Sequence, residues 1–437
     1  MITTIRITSV LALLGTLSVA CARCGGEDAQ RTLAAGDASA APQSRPSATT
    51  DSAPITCETS AVSDWPGWHR VAVSTAFCDC KFDIPADLTK EVGSLDWRPC
   101  ADGGSECQDL RFTPRPDGVR QYFAVARVSP GKRFLHFTRT LDQAAFEDDV
   151  FDLATGKPLA GWRVDALSKC NSSVALGPNV VGLYMSLPHY QSGVVFGTPE
   201  ELGRNPRFVP QPPDLEGREL RVGQFETSDT TLAFDLQPAR AIARARIDSK
   251  DYRTALGSGL SWPMVAGDDV YAWSEHGTDG WSQEYLVGPN TGKAALYRGK
   301  PNTVVSGFRS DGTTMFWLEL SGDANPLALQ PKVEVWGAPY TNDPSVLAST
   351  AQRIAVIPGP MSPRRHTIAF DGLFAFEWGE TAFVVRRSDG AIKQIAAGHG
   401  RYFWGTMLVT PTELWSMMGE LPSLTGVAIS RYSLGVW

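Results

Sequence analysis

After residue 120 the chain alternates, about seven times over, between short apolar runs and tight polar turns. Each unit holds an apolar run, a turn rich in Gly, Pro, Asp, Asn, Ser or Thr, and a second run of aromatic or branched residues. The second runs begin near Phe134, Val181, Thr231, Val270, Met315, Leu373 and Glu413. The turns before them read Ser129-Pro130-Gly131-Lys132, Gly177-Pro178-Asn179, Ser228-Asp229-Thr230, Gly267-Asp268-Asp269, Ser310-Asp311-Gly312, Asp371-Gly372 and Thr410-Pro411-Thr412. Gly and Asn tolerate positive φ, Pro presets the first corner, and Asp or Ser can bond the backbone two residues on. Stretches such as Met315-Phe316-Trp317-Leu318 and Leu373-Phe374-Ala375-Phe376 are continuously apolar, which predicts strands covered on both faces.

A second turn recurs at a fixed distance. Gly156 of Ala154-Thr155-Gly156-Lys157 follows Phe134 by 22 positions, as Gly292 of Asn290-Thr291-Gly292-Lys293 follows Val270. Ser388-Asp389-Gly390 resembles it at a shorter offset. These turns are expected to join the third and fourth strands of each unit. The units start roughly 40 to 58 residues apart, a blade-length period. The predicted fold is therefore all-β: a β-propeller of about seven blades, with six or eight as alternatives. Ser129-Pro130-Gly131-Lys132 resembles the S-P-D-G-K repeat of TolB-type and WD40-like propellers with the Asp missing, and Ser310-Asp311-Gly312 is a further partial match. The resemblance implies architecture and, weakly, partner binding.

The carboxyl terminus supplies only three strands for its unit, near 402–409, 413–417 and 426–432. A segment between about Trp68 and Arg127, most simply residues 70–75, is predicted to add the fourth and so cover an open sheet edge.

The amino terminus reads as a targeting segment. Arg6 precedes an apolar stretch over residues 7–19, too short to span a membrane but suited to secretion. It ends Leu17-Ser18-Val19-Ala20-Cys21, which resembles a bacterial lipobox and implies lipidation of Cys21. The alternative is cleavage after Ala20-Cys21-Ala22 and a soluble secreted or periplasmic protein. Residues 25–56 are dominated by small and polar side chains and would span on the order of 30 Å as a flexible coil. The resulting division is 1–20 signal peptide, 21–56 anchor and linker, 57–118 Cys-rich segment, and 119–437 propeller. By resemblance to enteric lipoproteins, Ala22 after the Cys favours the outer membrane or cell surface.

Six cysteines lie beyond the linker, and in an oxidising compartment disulfides are their expected state. Cys100 and Cys107 flank a turn-forming stretch and are the expected pair. Cys78-Asp79-Cys80 is too cramped for a direct bridge.

The 437 residues carry a net charge of −7, which gives no electrostatic basis for nucleic-acid binding. Arg240, Arg244 and Arg246 read as a solvated strand face. No nucleophile elbow, HExxH, Walker or EF-hand pattern occurs, and no His has a ligand-spaced partner, so no metal or cofactor is expected. His136 is expected to pack within a buried strand. Arg364, Arg365 and His366 precede the inner strand of the sixth unit, where an anion could bind. Trp336 and Tyr340 lie in the longest interval, 321–344, and suggest an elaborated binding loop. Glu275-His276 is a weaker acid–base pair beside an expected loop.

The functional expectation is a lipid-anchored, non-catalytic module that binds an envelope protein, a peptide or a cell-wall glycan. The alternatives are a polysaccharide hydrolase or lyase and a structural or assembly scaffold. Fold does not separate these.

Overall fold

The computed structural model describes residues 68–72, 81–100, 106–111, 121–141, 145–165, 171–186, 193–202, 207–210, 221–237, 241–246, 252–256, 261–266, 269–274, 283–287, 294–298, 303–321, 330–341, 343–361, 366–398, 400–420 and 428–437. Cys21, the linker, Cys57, Cys78, Cys80, Cys170, Arg364, Arg365 and the Glu275-His276 pair lie outside them.

Each predicted turn that is described folds the chain back on itself, so the described strands pair with their sequence neighbours and form seven antiparallel sheets. The second strands begin at Phe134, Val181, Thr231, Asp269, Thr314, Leu373 and Glu413, within one residue of the expected starts. Sheets II to VI are simple four-stranded meanders. Sheet I contains Gln121–Val128, Phe134–Leu141, Ala145–Asp152 and Pro158–Asp165, then Lys81–Pro85 and Trp68–Ala72 outside them. Sheet VII contains Arg401–Val409, Glu413–Glu420 and Ala428–Ser433, then Cys107–Arg111 and Asp96–Pro99. No helix among the described residues is long and apolar enough to cross a membrane.

The continuously apolar runs are buried on both faces because sheets stack on either side of them. Phe316, Leu318 and Val335 of sheet V pack with Phe374, Phe376 and Phe383 of sheet VI, the Phe316 and Phe374 rings lying 5.5 Å apart. The alternate residues Leu373, Ala375 and Val384 face Phe403, Leu414 and Met418 of sheet VII. Leu135, Phe137 and Phe151 of sheet I meet Leu408, Trp415 and Met417 of sheet VII.

The first strands of sheets I, III, IV, V and VII each carry a register break against the second strand. A bulge bends a strand and increases its twist. In sheet V the break is built on Gly307, whose φ is +68°, and a Cβ there would lie 2.6 Å from Thr367 Cγ2. Both backbone and space therefore require glycine. The first strand of sheet VII also lies beside that of sheet I.

The repeated turn residues stitch neighbouring sheets together. Arg133 donates to Asn179 Oδ1 at 3.0 Å, and Asn179 donates through its backbone N–H and Nδ2 to Asp229 at 2.8 and 2.6 Å. Gly372 N–H donates to Asp311 Oδ2 at 2.8 Å. The turn signature thus has a structural task, linking one turn to the next.

Cys107–Arg111 hydrogen-bonds to Ala428–Ser433, with Asp109 opposite Ser430 and Cys107 opposite Tyr432. Residues 70–72, within the segment expected in this place, instead lie in Trp68–Ala72, which pairs with Lys81–Pro85. That pair extends sheet I through Asp83 opposite Arg163. Chemistry favours the later segment. Cys100 and Cys107 form a disulfide with Cα atoms 5.5 Å apart, holding the hairpin. Arg401 Nη2 approaches Asp109 Oδ1 at 2.8 Å, and Ser430 Oγ donates to the same oxygen at 2.6 Å. Arg401 Nη2 also donates to Ser430 Oγ at 2.7 Å.

The Asp109 and Arg401 side chains are each only 10% exposed. Removing one partner leaves a buried charge, so Asp109→Ala should cost about 3 kcal/mol in urea unfolding. Asp96→Ala, which breaks an exposed pair with Arg98, should cost less than about 1 kcal/mol. Equal losses for the two variants would refute a locking role for Asp109.

Candidate functional site

Where sheets I and VII meet, the turns leave a cavity of roughly 630 Å³. Leu95 and Trp97 enter it from the early hairpin, Leu153 from the second turn of sheet I, and Leu408, Trp415 and Arg431 from sheet VII. Trp97 and Trp415 meet edge to face with centroids 4.9 Å apart. The Arg431 guanidinium stacks over Trp97 at 4.5 Å, and its Nε donates to Gln108 Oε1 at 2.6 Å. Glu413 Oε2 accepts from Trp415 Nε1 at 3.0 Å, while its other oxygen lies 4.0 Å from Arg431 Nη1. The docked early hairpin therefore forms one wall of this cavity.

Lys132, from the Ser-Pro-Gly-Lys turn, also lines the cavity. Its backbone is left-handed, with φ at 55°, and among the described non-glycine residues only Asp371 (φ 49°) shares that conformation. The two residues face each other. The Lys132 ammonium sits 3.9 Å above the Phe370 ring, beside Asp371 and Glu413. Burial holds this ammonium below its ordinary pKa, against the opposing pull of the two carboxylates. Strained backbone of this kind persists only where its surroundings hold it, and it clusters at functional positions.

A second concavity, roughly 680 Å³, runs between Ile392–Ala396 and the Tyr432–Leu434 region. Its lysine, Lys393, is occupied by the carbonyl oxygens of Leu434 and Val436. Lys393 is therefore committed to holding the carboxyl-terminal segment.

Sheet I buries a third charged group, closed to solvent. Strand alternation divides Glu147-Asp148-Asp149 between two faces. On one face Arg139 pairs with Glu147 and Asp149, and Arg163 pairs with Glu147, all nearly fully buried. On the other, Asp148 accepts from Thr138 Oγ1 at 2.6 Å and Trp162 Nε1 at 3.1 Å, and lies 2.9 Å from His136 Nε2. His136 is thus a bonded core residue. Gly161 lies opposite Asp149, and a Cβ there would come within 2.8 Å of Asp149 Oδ1. Burial pushes the Asp149 carboxyl from 3.8 up to about 7, with Arg139 pulling the other way and Glu147 adding to the rise.

The residues singled out in the sequence are placed differently from these groups. Trp336 and Tyr340 do not stand on an exposed loop, which corrects that expectation. Trp336 lies in the strand Gln330–Pro339, and with Tyr340 it packs half-buried around Phe308, Trp317 and Leu347. The long interval is explained by this ten-residue strand and the helix Pro344–Thr350 behind it. His366 is exposed, and its carbonyl accepts from Thr406 Oγ1 at 2.9 Å. Neighbouring Thr367 donates to Gly307 O at 2.9 Å and accepts from Arg309 Nε at 2.8 Å. His366-Thr367 thus tie sheets V, VI and VII through two backbone carbonyls and the Thr367 hydroxyl. Arg244, expected on a solvated face, is buried with 3% exposure. Cys100, Cys107 and Asp109 cluster closely, but the disulfide takes both sulfurs and Arg401 takes the carboxylate.

Sequence reasoning missed Trp97, Trp415 and Arg431, whose meeting depends on which early strand docks. The acidic triplet could have been noticed, because Glu147-Asp148-Asp149 interrupts a strand whose counterparts in sheets II and VI are apolar.

No protein-family model matches the chain, and no curated sequence matches it. Solved structures do resemble it. An oligogalacturonate lyase in complex with manganese aligns with a TM-score of 0.53 at 13% identity, over 78% of this chain and 96% of that one. The oligogalacturonate lyase of Vibrio parahaemolyticus gives 0.50 at 12% identity, over 77% and 96%. The β-propeller domain of the Trilobed protease from Pyrococcus furiosus gives 0.49 at 12%, over 72% and 93%. At such identities the likeness shows the fold alone. The chain is an all-β protein, and β-propeller domains are among the solved structures that resemble it.

The buried carboxyl of Asp149 generates a pH prediction. Between about pH 4 and 7 the folded protein holds a proton that the unfolded chain releases, so stability falls as pH rises through that window. The urea midpoint should drop between pH 5 and 7.5 more in the wild type than in Asp149→Asn. Parallel curves would show that the proton resides elsewhere.

Proposed function

We propose that the seven sheets are blades of one ring, with Cys107–Arg111 as the fourth strand of the last blade. The protein is then an exported module, anchored through lipid on Cys21 at the outer membrane or cell surface. It binds an envelope ligand without transforming it. The cavity between sheets I and VII is its binding site, and this cavity is the observation that carries the reading. Preformed concavities of about 300–1,000 Å³ that combine apolar surface with convergent polar groups are the usual form of ligand sites, and the wall of this cavity mixes the two. The left-handed backbone of Lys132, which lines the cavity, supports the same location. Residues 21–56 would hold the domain clear of the membrane, leaving this face open to a protein, peptide or cell-wall glycan.

Two measurements test this. Labelling with a fatty-acid analogue should be abolished by Cys21→Ser, and unchanged labelling would refute the anchor. The tagged ectodomain, residues 57–437, should retain a ligand from envelope extract that a folded Trp97→Ala/Arg431→Ala variant retains at least about thirtyfold less well, the scale of one interfacial hot spot. Turnover of a polysaccharide by the ectodomain would overturn the binding reading in favour of a propeller enzyme.

A further inference from the structure

We infer that the ligand of the cavity between sheets I and VII carries a carboxylate on a compact apolar body; this rests on the cavity being the binding site. The charges in its wall, among the described residues, are Lys132, Arg431 and Glu413, two cations against one carboxylate. Glu413 is divided between the Trp415 indole N–H on one oxygen and Arg431, 4.0 Å from the other, while Lys132 also feels its charge. Asp371 faces the Lys132 ammonium from the turn of sheet VI but is not part of the wall. An anion entering the cavity completes this set.

Lys132 is the sharper of the two cations. Its ammonium is held over an aromatic ring at the end of a left-handed turn residue, and burial disfavours its charged form. A carboxylate beside it restores the charged form, as an opposite charge within a few ångströms does. Arg431 is fixed by Trp97 on its face and Gln108 at its Nε, so it needs no reordering to meet an anion. Leu95, Leu153, Leu408, Pro411 and the two indoles offer apolar surface for the ligand's body, beside the hydroxyls of Thr155, Thr410 and Thr412. A cationic ligand would meet the two like charges of Lys132 and Arg431.

Three probes with one indole body and different charge separate these cases: indole-3-acetate, its alcohol counterpart tryptophol, and tryptamine. Binding to the full ectodomain, residues 57–437, is read by titration calorimetry. Indole-3-acetate should bind at least about tenfold more tightly than tryptophol, equivalent to about 1.4 kcal/mol, and tryptamine should bind most weakly. Lys132→Met should bring acetate and alcohol to within about twofold of each other, and Lys132→Arg should keep the preference. Equal binding of the three probes to the wild type would overturn the carboxylate assignment while leaving the site standing. A preference that survives in Lys132→Met would overturn the role given to Lys132. Binding of none of the probes would overturn the assignment together with the site.

Discussion

The arrangement depends on a carboxylate meeting a guanidinium across an early strand and a late one. Sheets II to VI are each assembled from consecutive residues, whereas sheet VII is completed by strands that precede all of them. Asp109 on the early strand finds both Arg401 and Ser430, and the pairing register is fixed by this contact. A slip of one residue would turn the carboxylate to the opposite face. Arg401 would then be buried beside no counter-charge, a cost well above that of the backbone hydrogen bonds exchanged. The disulfide adds to the same end by holding Cys107–Arg111 in a hairpin before it docks.

Next to this seam, sheet I buries more charge than any other described sheet, and it does so by strand alternation. Three consecutive acids serve two separate networks because neighbouring side chains leave opposite faces. In the network of Asp148, His136, Thr138 and Trp162 ordinary hydrogen bonds satisfy the carboxylate, while His136 Nδ1 has no hydrogen-bond partner among the described residues. The network of Glu147, Asp149, Arg139 and Arg163 is tighter and leaves Asp149 Oδ1 without a hydrogen bond among the described residues. Gly161 leaves the space in which that oxygen sits. The sheet that carries these charges is also the one that gives the cavity Lys132 and Leu153, so its rigidity bears directly on the shape of the site.

The sequence conveyed local order well and long-range order poorly. The strand starts at Phe134, Val181, Leu373 and Glu413 were legible because turn residues act over four positions and mark their own place. The double-sided burial of Met315 to Leu318 followed from continuous apolarity. The docking strand was not legible: residues 70–72 and 107–111 both alternate plausibly, and only a partner more than 300 residues away distinguishes them. The site suffered for the same reason, since Trp97 and Trp415 have no shared pattern in the sequence. Trp336 and Tyr340 drew attention by lying in a long interval, but a longer strand and a short helix account for that length. Their rings cover Trp317 instead of reaching outward.

The docking of an early strand on the last one also sets an order of events in time. Asp109 is made 321 residues before the serine it must meet. Closing so long a loop costs only slightly more entropy than closing one half its length, yet contacts of high sequence separation are slow to form. During synthesis the Cys107–Arg111 hairpin would have to wait, its hydrogen-bonding edge open, while all the intervening sheets appear. A chain that folds only after its whole length is delivered faces no such delay. Both edges are then present together, and a strand made early can be among the last to settle without being exposed alone.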